Sequence, residues 1–243
     1  PVLSSLGCPM SCSYCASRIL QKTFFIRDSD VVTSEIEYLC SRFNVRHFAV
    51  FDDALLHAPD KNFIPLMRSI DRRGIKASFH TPNGLHANSI TPEIVTLLAQ
   101  SGFRTLRLGY ETGDAHYYGD GAAKVQRGDL AKKTSMLFAN GFSNASVGVY
   151  VMAGLINQSP TDVLQEIDFV ASLSVKVKPV FLSPVPGTRT FEHYLREFPE
   201  MNDDPLLHND TYFMTRLPGW DADAMQRILD SANKHNARLD TTF

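Results

Sequence analysis

The chain has 243 residues, a formal net charge of −2, 44% hydrophobic and 21% charged residues. That length allows one substantial core in one or two domains, and the composition is that of an ordinary globular protein. The near-balanced charge, with only short basic clusters at Arg72-Arg73, Arg104 with Arg107 and Lys132-Lys133, gives no electrostatic reason to expect a nucleic-acid partner. No apolar run is long enough to span a bilayer, and no segment reads as a signal peptide.

Val2 to Leu6 is a short apolar run that predicts a first strand, so that the chain opens directly on the fold. Apolar residues at helical spacing predict a helix over Asp30 to Phe43, with Cys40 a buried free thiol on it. His47 to Phe51 is a near-continuous apolar strand ending at Asp52-Asp53. The unit then repeats. A helix is expected over Asn62 to Arg73, stopped by Gly74, and a strand over Lys76 to His80, followed by the turn Thr81-Pro82-Asn83-Gly84. A helix capped by Thr91 with Pro92 at its first position ends at Gly102, and a strand over Thr105 to Tyr110 ends at Glu111. Further units follow: a helix from Asp129 to Asn140, a strand from Ala145 to Met152, a helix from Pro160 to Leu173 capped by Ser159, and a strand from Val177 to Leu182.

Six strands alternating with helices predict a parallel sheet with right-handed crossovers. From Arg189 the chain turns charged and aromatic and ends in a helical stretch from Asp221 to about Arg238. It reads as a C-terminal helical cap against the open side or the bottom of the barrel. The expected division is 1–188 for the barrel and 189–243 for the cap. In such barrels the chemistry collects at the C-terminal ends of the strands. Polar groups recur there: Asp52-Asp53, His80 with Thr81 and Asn83, and Glu111-Thr112.

Before the second unit stands Gly7-Cys8-Pro9-Met10-Ser11-Cys12-Ser13-Tyr14-Cys15, three cysteines at C-x3-C-x2-C spacing. A trio this compact can hold one metal centre within a single loop, and it does not look like a disulfide framework. Three thiolates are one fewer than a closed zinc site or an all-cysteine iron–sulfur cluster takes. A cubane cluster here leaves one iron open to a non-protein ligand. A zinc knuckle completed by a distant histidine and a redox thiol cluster are the other readings of the spacing.

With Tyr14 just before the third cysteine, the loop closely resembles the radical S-adenosylmethionine superfamily. The segments Phe51 to Leu55, Phe79 to His86, Gly109 to Thr112 and Pro184 to Thr188 are similar to the class whose core accompanies an N-terminal cobalamin-binding domain. The likeness runs from Val2 to about Thr188. It implies a partial (β/α)6, TIM-like barrel open along one side, with Cys8, Cys12 and Cys15 holding a [4Fe–4S] cluster. S-adenosylmethionine then chelates the fourth iron and is cleaved reductively to a 5′-deoxyadenosyl radical. That radical abstracts hydrogen from a small or medium organic substrate.

The resemblance further implies roles for single residues. Tyr14 lies beside the adenine, Asp52 binds the methionine ammonium, Glu111 the ribose hydroxyls and Lys124 the methionine carboxylate. Tyr150 approaches the ribose or adenine or fills the barrel, and His80 and Asn83 are placed to face substrate or cofactor. Gly154-Leu155-Ile156-Asn157-Gln158 stands where relatives commonly show Gly-Leu-Pro-Gly-Gln, and is expected still to turn. A cobalamin domain is missing from this chain, which leaves a fragment of a longer protein or an enzyme working without cobalamin.

The alternatives are the core of a cobalamin-dependent methyl- or methylthiotransferase and a non-catalytic barrel with a structural or sensory metal loop. The expected partners are the organic substrate and a low-potential electron donor such as flavodoxin or ferredoxin, with no membrane and no nucleic acid. Thiolates of this kind call for a reducing, cytoplasmic, oxygen-poor setting.

Overall fold

Strands that bury both faces and helices with one apolar stripe stack in only a few ways, and here they wind into one parallel sheet. The computed structural model describes residues 1–114, 117 and 125–240. The chain opens with β1 (Ser5–Leu6), α1 (Ser17–Leu20), β2 (Phe25–Ile26), α2 (Ser29–Phe43) and β3 (His47–Ala49). It continues through α3 (Phe63–Arg72), β4 (Ser78–His80), β5 (Leu85–His86), α4 (Pro92–Gln100) and β6 (Phe103–Glu111). Then come α5 (Arg127–Ala139), β7 (Val147–Ala153), α6 (Pro160–Ser172) and β8 (Lys176–Phe181). The tail carries α7 (Arg189–Glu197), α8 (Asp210–Met214) and α9 (Ala222–Asp240).

The sheet runs β3-β4-β6-β7-β8 with every pair parallel, and β5 pairs with β6. Val2 adds one more position through a parallel bridge to Val50. The sheet does not close on itself, so the architecture is an open, partial α/β barrel. Phe79, Leu106, Leu108 and Tyr110 turn outward under the helices and are almost fully buried. The alternate residues Thr105, Arg107 and Gly109 face the half-open interior.

The helix starts follow their caps. Thr91 accepts a hydrogen bond from Ile94 N at 3.3 Å ahead of α4. Ser159 and Asp162 form a reciprocal capping box ahead of α6, with Asp162 accepting from Ser159 N at 2.8 Å.

The expected first strand is corrected. Val2 alone joins the sheet, and Ser5–Leu6 pairs instead, antiparallel, with Phe25–Ile26. The cause is Asp52, whose carboxylate accepts from Ser4 N at 3.0 Å and from the Ser4 and Ser5 hydroxyls at 2.6 Å each. Ser4 N–H is therefore lost to the ladder, and the chain lifts off the sheet.

The tail does more than cover an end. Helix α9 packs against β8 and α6, where the sixth outer helix of a (β/α)6 array belongs. Its Asn236 side chain caps the free edge of β8, accepting from Val177 N and donating to Val177 O, both at 2.8 Å. An edge strand otherwise presents such groups unpaired. We expect Asn236→Ala to lower stability by about 1–2 kcal/mol, read as a lower urea midpoint, whereas an unchanged midpoint would show that water replaces the amide at no cost.

Candidate active site

At the C-terminal ends of the strands lies a cavity of about 550 Å³. Its walls are the cysteine loop and the segments that follow β3, β4 and β6, together with Tyr150 and Met152 of β7 and Val180 of β8. A second hollow, of about 590 Å³, sits between α3, α4 and the opposite ends of β4 and β6, and it holds none of the expected cluster- or cofactor-binding residues.

The cysteine loop is approached through Gly7, whose φ is +78°. A Cβ there would meet Gln21 Cγ at 2.8 Å and Thr23 O at 3.0 Å, so both the dihedral and the space call for glycine. Within the loop Cys15 N donates to Cys12 O at 3.3 Å. The far end of the chain holds it from outside: Arg189 donates to Ser11 O at 2.9 Å and Thr190 N to Ser13 O at 3.0 Å. Cys8, Cys12 and Cys15 all line the cavity, and all three are free thiols.

Burial pushes the Cys8 and Cys12 thiols up, and the neighbouring Cys15 adds to both. The Met10 N–H opposes this at Cys8 by hydrogen-bonding its sulfur. Such thiols become thiolates only beside compensating positive charge, as a metal centre provides. Among the described residues no group of three His, Cys, Asp or Glu is gathered tightly enough for a single metal ion. The donor set fits a polynuclear cluster, in which each thiolate takes its own iron.

Glu111 ends β6 in the left-handed region at φ +68°, where the β6–β7 register slips between Gly109 and Glu111. A bulge of this kind re-aims a side chain. Tyr110 sends its hydroxyl to Glu166 of α6 at 2.7 Å, and Glu111 enters the cavity wall. There the Tyr14 hydroxyl bonds Glu111 and also meets the Cys12 thiol. Burial raises the Glu111 pKa to about 7 despite that hydrogen bond, and it keeps the Tyr14 phenol protonated.

The remaining expected residues divide. Asn83 lines the cavity and donates from its amide to Phe51 O at 2.8 Å, tying two rim loops together. Tyr150 lines it and donates to Pro82 O at 2.6 Å. Gly84 lies so close to Gly109 that a Cβ would stand 2.9 Å from its nitrogen. Asp52 is not brought to the cavity: it is buried beneath the rim and committed to Ser4 and Ser5, while its neighbour Asp53 lines the wall. Lys124 lies outside the described residues. His80 faces the interior below the cavity. Met10, His57 and His86 also line the wall, and no spacing in the sequence marks them.

The loop after β7 turns as expected. Asn157 adopts φ +64°, which asparagine tolerates. Gln158, buried, accepts from Gly154 N at 2.9 Å and Leu155 N at 3.1 Å.

An open parallel barrel with three free thiols and a half-buried glutamate around one rim cavity defines a metal-cluster α/β barrel. Comparison makes this specific. The family model of the Radical SAM superfamily matches residues 2–170, and the chain belongs to that superfamily. Its members bind a [4Fe–4S] cluster and S-adenosylmethionine.

Bacteriochlorophyllide d C-12(1)-methyltransferase of Chlorobaculum tepidum is 23% identical over 233 residues, covering 86% of this chain and 49% of that protein. An uncharacterized methyltransferase of Pyrococcus horikoshii is 22% identical over 197 residues, covering 79% and 41%. The chain thus spans about half the length of the curated relatives it matches. Among solved structures, the radical S-adenosylmethionine methyltransferase TsrM of Kitasatospora setae, with cobalamin and a [4Fe–4S] cluster bound, superposes with a TM-score of 0.70 at 17% identity, covering 81% of this chain and 39% of that one. Methylornithine synthase gives 0.59 at 12%, covering 95% and 61%.

Glu111 sets a pH dependence. Its folded pKa of about 7 lies above the ordinary 4.5, so between those values the folded chain holds more protons than the unfolded one. Stability therefore falls as pH rises through that window, and the cost is complete above about pH 7. We expect Glu111→Gln to be more stable than wild type at pH 8 by about 2–3 kcal/mol, with the gap closed at pH 4. Urea midpoints across pH check this, and parallel profiles for the two proteins would contradict it.

Proposed function

We propose that this chain is the S-adenosylmethionine-cleaving core of a radical enzyme, with the cluster on Cys8, Cys12 and Cys15 and the cofactor in the rim cavity. The observation that carries this reading is that the three thiols share one cavity with Glu111 and Tyr14. When bound, the cluster supplies a single electron at low potential; a flavodoxin- or ferredoxin-type donor suits that need. The protein's own residues bind and orient. Three thiol ligands leave one iron of a four-iron cluster for the amino-acid end of S-adenosylmethionine.

Glu111, anionic above about pH 7, accepts hydrogen bonds from the ribose hydroxyls, and Tyr14 holds its carboxylate in place. Asp53 is the rim carboxylate that faces the cavity and suits the methionine ammonium. Asp52 acts one step back, as a positioning residue for the loop. Asn83 and Tyr150 brace the β4-side loop against the cofactor, and Lys124 is assigned to the methionine carboxylate. The outcome is hydrogen abstraction from an organic substrate.

Methyl transfer with cobalamin is the second reading, favoured by the methyltransferase names of the relatives and by their roughly double length. In it this chain is the core, and cobalamin is held by a part of the protein outside it.

Anaerobic reconstitution followed by electron paramagnetic resonance tests both. The reduced cubane signal should change on adding S-adenosylmethionine. Cys12→Ala should lose the cluster, and Glu111→Ala should keep its iron while binding the cofactor at least about tenfold more weakly. A signal indifferent to the cofactor would overturn the reading. In turnover, 5′-deoxyadenosine alone indicates hydrogen abstraction, and S-adenosylhomocysteine indicates methyl transfer.

A further inference from the structure

The barrel's inner face below the cavity is cationic. Gly109 of β6, Val180 of β8 and Pro82 beyond β4 line the cavity. Two residues earlier on the same faces stand Arg107, Lys178 and His80. A two-residue step along a strand is about 7 Å, so these three form the next layer down.

The register draws them together. Arg107 is paired with Gly148, and Gly148 with Lys176; Gly109 is paired with Tyr150, and Tyr150 with Lys178. Gly148 offers no side chain, and the Arg107 guanidinium lies across it. A Cβ at Gly148 would stand 3.1 Å from both Arg107 Cδ and Nη1. Arg107 thereby crosses β7 toward the lysines of β8. On its other flank His80 bonds Thr105 Oγ1 through Nδ1 at 2.8 Å and His47 Nδ1 through Nε2 at 3.0 Å.

Among the described residues, little negative charge answers this layer. Lys176 is paired with Asp240 of α9 at 2.6 Å, and Glu111, in the layer above, is engaged by Tyr14. The Arg107 guanidinium donates to Leu106 O at 3.0 Å and makes no ion pair among the described residues. The Lys178 ammonium has neither a hydrogen bond nor an ion pair among them. Burial first, then Arg107 and Lys176, push the Lys178 ammonium down, with Asp240 opposing; burial, His47 and Arg107 push His80 down. Like charges held together on a half-buried concave face are unfavourable until an anion joins them.

We propose that Arg107 and Lys178, with His80 at their flank, bind an anionic group of the substrate, a carboxylate or a phosphate. The inference rests on reading the cavity above as the cofactor site. It makes the substrate an organic acid or phosphate ester, anchored by its anion below and extending its reacting carbon up toward the cavity. An arginine fork suits either oxyanion by paired hydrogen bonds, with lysine adding a point charge.

The test uses the full chain, reconstituted anaerobically, with its lysines ¹³C-methylated. Inorganic phosphate and succinate are titrated separately against sodium chloride at equal ionic strength. The Lys178 resonance, assigned by its absence in Lys178→Gln, should move saturably with phosphate or succinate and not with chloride. Arg107→Gln should weaken that response by at least about tenfold, Arg107→Lys should weaken it less, and Lys132→Gln should leave it unchanged. A Lys178 signal that follows ionic strength alone, or that responds equally in wild type and Arg107→Gln, would overturn the site. Tighter phosphate binding points to a phosphate ester, and tighter succinate binding to a carboxylic acid. The resonance change of the cluster on adding S-adenosylmethionine, recorded on the same samples, scores the cofactor reading separately.

Discussion

The site depends on one buried carboxylate. Asp52 is 4% exposed, and its two oxygens take the Ser4 amide and the Ser4 and Ser5 hydroxyls. A charge taken out of water is tolerated only when its lone pairs are filled in this way. The arrangement fixes where the chain departs from the sheet. Val2 still pairs beside Val50, and two residues later the amide turns to Asp52 instead of a neighbouring strand. The cysteine loop therefore begins at a point set by the rim that follows β3. The same backbone turn that buries Asp52 presents Asp53 to the cavity.

The opposite wall is held by a strained residue and a second buried carboxylate. A non-glycine residue at φ +68° carries a cost of about 1–3 kcal/mol. Glu111 keeps that conformation because both of its neighbours are tied. Tyr110 is bonded to Glu166, and Thr112 N donates to Tyr110 O at 2.9 Å. Glu166 in turn is bound by Arg127 at 2.9 Å, and Arg127 also covers the Phe169 ring. The network lies in the helix layer, and its effect appears in the cavity as the direction of the Glu111 side chain.

Much of this was legible in the sequence. The alternation of strands and helices, the caps at Thr91 and Ser159, and the cysteine spacing are local signals, and local signals survive folding. The turn after β7 was legible too, and it is Asn157, a residue type that enters the left-handed region without glycine's help, that makes it. What was not legible depends on distant partners. Two adjacent aspartates at a strand end must point to opposite sides, but which one faces the cavity is decided by Ser4 and Ser5, some 48 residues away. The first strand was overextended for the same reason. The grip of Arg189 on Ser11 spans 178 residues, and no periodicity announces it.

That grip explains why a tail with no motif of its own belongs to the site. The cysteine loop offers few buried apolar groups, so its position rests on backbone hydrogen bonds supplied from elsewhere. Thr188 caps α7 by accepting from Phe191 N at 3.1 Å, which leaves the preceding amide, Thr190 N, to donate to Ser13 O in the cysteine loop. Tyr194, one turn on, donates to Gly154 O and so pins the same helix to the loop after β7. Asp52 from beneath and α7 from outside thus hold the thiol loop between two parts of the barrel. Preorganisation of this kind keeps ligand geometry from drifting, and it places the determinants of the loop at both ends of the chain.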